Sequence, residues 1–593
     1  MTEPAARRPV VRTVAYGRPA TEAHAEAIAE AKVGRPLDPV TVVVASNTAG
    51  LSVRRLIGGG TVGAGGLANV SFLTPLRLAE LLAAEHLPGL PVTNAVLAAA
   101  ARRVLRRRPA PFGAVAEHPA SEAAVVALYG ELSRLRPDTL GRLATHGAGH
   151  TAALVAVFRA VRAELGDRFY DEDARAQAAV DRLRTDPAGA AALLGRLVWF
   201  LPERLTPAQT GLVRGALATV ASTVVVGLTG DRAADEAVRR ACADAGLPVP
   251  DGRPTDPPTG TRILSVSDPD EEVRAVCREV LALAEAGTPL DRIGVFHPSP
   301  DPYARSLHEQ FDAAHLPHNG PSRTRLADGV AGRALLDALA LPEHDWRRAD
   351  VLAVASAGPV RSNDQVVPAA AWERLSRAAG VLAGLDDWST KLEAFAGQCE
   401  EEHRLRAGDP TTSRGHLDAL HDDAQLARDL AAWVVALAAV IEAGEQASGW
   451  HGRADRAQAL VSHLLGPTGR RHDWPEAEIT AAERVEAALA RLAILDTLDP
   501  DPSMATFRRA VESELDAPAG RVGQFGHGVW FGPLATAPGL DLDAVFVLGM
   551  AEGTSPRSRG EDALLPDEVR ALAGDELATR DDGLHRQHRH LLA

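Results

Sequence analysis

Of the 63 basic residues in the chain, only Lys32 and Lys391 are lysines; the rest are arginines. That count decides which phosphate chemistry the sequence can carry. A nucleotide-hydrolysing phosphate loop sets a lysine after a glycine-rich turn, where the ammonium reaches the β and γ phosphates. Lys32 sits in Glu-Ala-Lys-Val-Gly and Lys391 in Ser-Thr-Lys-Leu-Glu, and neither is such a loop. A nuclease core of the PD-(D/E)xK type needs a lysine two residues after its second carboxylate, and neither lysine has that setting. Both activities are therefore disfavoured within these 593 residues, and no catalytic residue is assigned. Cys242, Cys277 and Cys399 are far apart, which fits a reducing compartment and no structural zinc. His585, His588 and His590 crowd one stretch, but zinc would need a further ligand group beside them. No serine-nucleophile elbow or zinc-protease helix occurs, so neither metal nor cofactor is expected.

Two places could hold a nucleic-acid backbone. Ser46, Asn47 and Thr48 follow an apolar run and open a helix. Their hydroxyl and amide groups, with the first amides of the helix, can meet a phosphate. Arg54 and Arg55 add charge on that helix, about 100° apart, so both cannot serve one phosphate equally. The plain alternative is a helix cap with a solvated basic face. Arg102, Arg103, Arg106, Arg107 and Arg108 make the densest cationic cluster, and Arg103, Arg106 and Arg107 share one helix face. They could track phosphates, or complement a helix C-terminus ahead of Pro109, an effect of about 1 kcal/mol at most. The net charge of −15 weighs against a dedicated nucleic-acid binder. A local groove still works, because phosphate fields act over about one Debye length, ~8–10 Å.

The elements that must position these residues alternate between strand and helix. Val11–Ala15, Thr41–Ala45, Val70–Thr74, Leu197–Phe200 and Thr223–Leu228 read as strands, rich in β-branched residues. Helices are expected over Thr21–Lys32, from Leu51, over Pro75–His86 and over Thr206–Val220. This alternation implies a parallel, doubly wound sheet. Residues 87–195 read as helical. Asp251–Gly260, rich in proline and glycine, is the clearest linker. The alternation then restarts, with strands at Arg262–Val266 and Arg292–Phe296 and helices over Asp270–Ala286 and Pro302–Ala314. Residues 328–515 are again mainly helical. Val545–Leu548 reads as a closing, buried parallel strand, followed by a loop at Gly549–Pro556 where α/β sheets place ligands. No stretch has 18 unbroken apolar residues, so no membrane span is expected.

Several of these segments are similar to one family. Gly539 to Gly553, Gly-Leu-Asp-Leu-Asp-Ala-Val-Phe-Val-Leu-Gly-Met-Ala-Glu-Gly, resembles the second motor lobe of UvrD-like superfamily 1 helicases. The closest likeness is to AddB-like subunits of bacterial helicase–nucleases. Val43–Arg55, Thr223–Glu236 and Asp268–Arg274 resemble further blocks of that family. The resemblance implies two RecA-like parallel-sheet lobes, each with a helical insertion. Residues 1–86 and 196–250 would form a degenerate first lobe, and 87–195 a 1B-like insertion. Residues 251–327 and 516–593 would form the second lobe, and 328–515 a 2B-like insertion.

The same resemblance implies roles. Tyr16–His24 stands where the nucleotide loop would be, so Gly17, Arg18 and Thr21 mark a degenerate loop. Ser46, Asn47, Thr48, Arg54 and Arg55 fall on a block that touches single-stranded DNA. Gly539, Asp543, Glu552 and Gly553 belong to the second-lobe loop. Arg274 matches a nucleotide-contacting arginine, expected here in a salt bridge between lobes, and Arg586 or Arg589 matches the arginine of the last helix. The function implied is an ATPase-inactive, helicase-like subunit in double-strand break repair and recombination. Its partners would be single-stranded or duplex-end DNA and an ATP-hydrolysing helicase subunit, in the cytoplasm. The family's nuclease domain has not begun where these residues stop. The alternatives are the N-terminal part of a longer exonuclease, and a protein–protein scaffold without DNA contact.

Overall fold

The computed structural model describes residues 8–63, 65–84, 87–116, 118–147, 149–250, 262–556 and 560–593. The linker expected at Asp251–Gly260 lies outside them. The described chain is mixed α/β and falls into two compact units, Ser322–Gly520 and the remainder.

The larger unit holds two five-stranded sheets. The first contains β1 (Val10–Ala15), β2 (Val40–Val44), β3 (Val70–Leu73), β4 (Arg196–Phe200) and β5 (Ser222–Leu228), in the order β1-β5-β4-β2-β3. Every neighbouring pair is parallel. Side chains alternate between faces along a strand, and helices cover both. Val42, Val44, Val198, Phe200 and Val225 pack under α1 (Arg18–Lys32) and α2 (Asn47–Gly58). Val43, Trp199, Val224 and Val226 pack on the other face under α3 (Pro75–Ala83), α5 (Glu172–Thr185), α6 (Pro207–Thr219) and α7 (Arg232–Asp244). The helices start where capping chemistry permits. Thr74 and Thr206 cap α3 and α6 with proline just inside, and Gln209 completes a capping box in α6. Among the described residues of 87–195, between β3 and β4, helices dominate apart from a two-residue ladder, and include α4 (Asn94–Arg106).

The second sheet contains β6 (Ile293–His297), β7 (His318–Pro321), β8 (Arg521–Val522), β9 (Val529–Pro533) and β10 (Ala544–Val547), in the order β8-β7-β9-β6-β10. Only β8 runs antiparallel to its neighbour. The helices α8 (Pro269–Glu285) and α9 (Pro300–Ala313) cover one face. Two expectations fail here. Residues 262–266 form no strand, and Ile263 is 93% exposed, because no neighbouring backbone offers a ladder. The closing strand is parallel but not buried: it lies at the sheet edge, with Val545 54% exposed. Two unexpected strands, β7 and β9, supply the centre instead, although Val529, Trp530 and Phe531 of β9 make a short run of strand-favouring residues.

The smaller unit is built of helices around Trp372, Trp388 and Trp450. The indole N–H groups of Trp388 and Trp450 donate to the carbonyls of Trp346 and Asp499, at 2.9 and 2.7 Å. Its helix α10 (Arg414–Glu445) is long and apolar enough to cross a bilayer by length and composition alone. Leu430, Trp433, Val434, Leu437 and Ile441 of that helix are buried. The chain ends in α11 (Arg580–Leu592), part of the larger unit, opened by a capping box of Thr579 and Asp582.

Candidate functional site

Ligands of open α/β sheets bind beyond the carboxyl ends of the strands. In the first sheet that edge is occupied by the chain itself. After β1 the Tyr16 ring turns over β5, so close that a Cβ on Gly227 would stand 2.7 Å from the ring. The Tyr16 hydroxyl accepts a hydrogen bond of 2.5 Å from Arg589 of α11. Arg589 is 4% exposed and also donates to the Pro202 carbonyl after β4, at 3.3 Å. Burial pushes the Tyr16 hydroxyl up to about 12, with Arg589 pulling the other way. Gly17 precedes α1, and no side chain caps that helix. Thr21 is buried, its hydroxyl spent on the Gly17 carbonyl at 3.2 Å, so it faces no ligand.

Beside this turn, Arg18 reaches the second sheet. Its Nε lies 3.0 Å from Asp541 Oδ2. Asp541 is held from the other side by Arg292, whose Nη2 lies 3.0 Å from Oδ1 and whose Nη1 donates to the Asp541 carbonyl. Arg292 also pairs with Asp543 at 2.7 Å, and that hydrogen bond holds the Asp543 carboxyl below the usual range. Gly539, with φ +86°, lets the same segment lie against Ala49 and Leu201, where a Cβ would be 3.0 and 3.4 Å away. Glu552 and Gly553 are exposed. The following loop is tied at its base, since Glu272 accepts from the Gly549 N–H at 3.0 Å and from the Tyr303 hydroxyl at 2.9 Å.

The DNA-contact candidates divide. Ser46 caps α2 by accepting from the Ala49 N–H at 3.1 Å, and Asn47 is exposed beside it. Thr48 is buried and offers nothing outward. Arg54 is exposed with no ion pair among the described residues, while Arg55 is paired to Asp291 at 2.6 Å. A recess between α2 and the second sheet is lined by Arg55, Asp291, Arg292, Asn319, Trp530 and Asp541. Arg103 and Arg107 of the cationic cluster share the single carboxylate of Glu164, and Arg102 pairs with Glu122. Arg106 is engaged as well. That cluster is therefore mostly an internal ion-pair network.

Among the described residues the ion pair of Arg274 is within its own helix, 3.8 Å from Glu271, rather than between the two sheets. Asp235 closes the loop after β5 by accepting from the N–H groups of Thr229 and Gly230. Sequence reasoning missed Tyr16 and Asp541. Asp541 and Asp543 sit in one Gly-Leu-Asp-Leu-Asp run, and only their burial, 4% against 50% exposed, separates the roles. Among the described residues, no cluster of histidine, cysteine and carboxylate side chains could hold a metal ion. No protein-family model matches this chain, and no curated protein matches it.

Proposed function

We propose that this chain is an ATPase-inactive, helicase-like DNA-binding subunit of AddB-like type, acting in the cytoplasm in double-strand break repair and recombination. On this reading the two sheets are RecA-like lobes, and residues 87–195 and the smaller unit are their insertions. One observation carries it. The edge of the first sheet where a nucleotide would sit is filled by Tyr16 and Arg589, and no lysine stands near the turn. The work left to such a fold is to hold a strand while a partner helicase subunit hydrolyses ATP. The start of α2 suits that task, because Ser46 and Asn47 present hydroxyl and amide there, and Arg54 adds an exposed cation about two turns further along the same helix.

Titrating a fluorescent single-stranded oligonucleotide at about 50 and 200 mM salt tests this. Contacts to roughly three phosphates weaken binding on the order of tenfold between the two salts. Arg54→Glu should weaken it further at the lower salt. No binding at low salt would overturn the reading in favour of a protein–protein scaffold. Glu164, which pairs with both Arg103 and Arg107 and offsets one of their two charges, supports that second reading.

A further inference from the structure

We infer that Asp541 is a built-in anion that holds the two sheets of the larger unit closed without any nucleotide. The inference rests on reading the carboxyl edge of the first sheet as a former nucleotide site. A phosphate bound there would sit between arginines of the two sheets and draw them together, since charge-assisted contacts to an anion are short and strong. Asp541 already does this. Its carboxylate stands between Arg18, which follows the first strand of the first sheet, and Arg292, which opens β6 of the second. The side chains of Asp541 and Arg292 are 4% and 9% exposed, so that pair fixes the carboxylate with little screening by water, while Arg18, 39% exposed, meets it from the wetter side of the seam. The contact of Arg18 with Oδ2 is an ion pair rather than an aligned hydrogen bond, and Oδ2 has no hydrogen-bond donor among the described residues. Arg18 is therefore held to Asp541 by charge alone.

Two further ties act in the same sense. Arg55 of α2 pairs with Asp291 ahead of β6, and Gly526 packs against its guanidinium, where a Cβ would be 2.4 Å away. Arg589 of the last helix crosses to Tyr16 and Pro202. These three ties are spread along the seam between the sheets. A motor that opens and closes with each nucleotide needs a seam whose key anion comes and goes; here the anion is covalently part of the chain.

Distance measurement by pulsed electron resonance tests this on the full chain. Spin labels go on exposed positions of α1 and α8, as Glu22→Cys and Glu285→Cys. The native Cys242, Cys277 and Cys399 are buried, which favours labelling at the introduced sites. The expected result is one narrow distance, unmoved by ATP with magnesium. Asp541→Ala should add a second, longer population, and formate or inorganic phosphate should shrink it. Arg18→Gln removes the half-exposed partner, leaves Arg292 paired with both carboxylates, and should open the seam in the same direction if Asp541→Ala fails to fold. An ATP-dependent distance in the parent protein would overturn the inference, as would an unchanged distance in both variants. Unchanged distances with intact DNA binding count against the lock alone. A narrow, ATP-insensitive distance that lengthens in Asp541→Ala, with no DNA binding at low salt, supports the lock and counts against the DNA-binding function alone.

Discussion

The two sheets of the larger unit are stabilised by different means. The first is apolar on both faces. All five residues of β2 are buried, and helices close over Phe200 on one side and Trp199 on the other. The second has a full helical cover on one face only; its other face carries a small cluster of Phe296, Trp530, Leu534 and Leu540. Its strands hold Gly, Pro, Asn and His, and polar ties fix them. The Asn319 amide donates to the carbonyls of Gly528 and Val529, at 3.1 and 3.4 Å, and Arg292 gathers Asp541 and Asp543. Burial contributes about 25 cal/mol per Å² of apolar surface, whereas an intramolecular hydrogen bond nets roughly 1 kcal/mol. The first sheet is thus a stability core. The second is a frame that positions charged groups at the seam.

The largest effect should come from the core of the first sheet. Phe200 is 1% exposed and packs among Val42, Val44, Val198 and the helices above them. Phe200→Ala removes a ring from a site closed on all sides, and should cost about 3–5 kcal/mol. Urea unfolding of the full chain, followed by circular dichroism, reads this as an earlier first transition. A loss under about 1 kcal/mol would mean that the first sheet is no more tightly built than the second, and the contrast would fall.

This contrast also explains what could be read from the sequence. A strand covered on both faces must be apolar throughout, so Thr41–Ala45 and Thr223–Leu228 announced themselves to within a residue of β2 and β5. β7 has the sequence His-Asn-Gly-Pro, which reads as a turn. It becomes a strand because β9 and β8 flank it, a long-range fact no local pattern carries. The run at Val545 failed in the opposite sense, since an apolar segment can lie at an edge as well as in the centre. At the candidate site, Ser46 and Arg18 were legible by type and position. Their partners were not, because Arg18 meets Asp541 and Tyr16 meets Arg589 across hundreds of residues.

A second, smaller effect sharpens the picture of the first sheet as a dry core. His24 on α1 is fully buried, its ring 4.5 Å from that of Phe200, and neither ring nitrogen has a hydrogen-bond partner among the described residues. Burial lowers its pKa from the ordinary 6.5 to about 3. Above pH ~6.5 neither the folded nor the unfolded state binds the proton, so nothing is lost. As the pH falls below 6.5 the unfolded state takes up the proton and the folded state does not. Stability drops until about pH 3, where the folded state protonates as well. At pH 5 the loss from this group is about 2 kcal/mol. Denaturation midpoints at pH 7.5 and 5 should therefore diverge more for the parent protein than for His24→Leu. Equal pH dependence in the two would mean that water reaches the ring, and the dry-core description would be wrong.

The smallest effect should come from the outer strand of the second sheet. Val545 is 54% exposed on β10, which among the described residues pairs only with β6. Thr keeps the branched Cβ and the strand preference, so Val545→Thr changes little except the polarity of a surface already in contact with water. The expected change is within about 0.5 kcal/mol by urea unfolding. An exposed apolar edge strand is also a template for pairing with another chain. If Val545→Thr costs more than about 1 kcal/mol, and the cost grows with protein concentration, the edge is covered in solution by another chain. The second sheet would then owe part of its stability to assembly rather than to its own core.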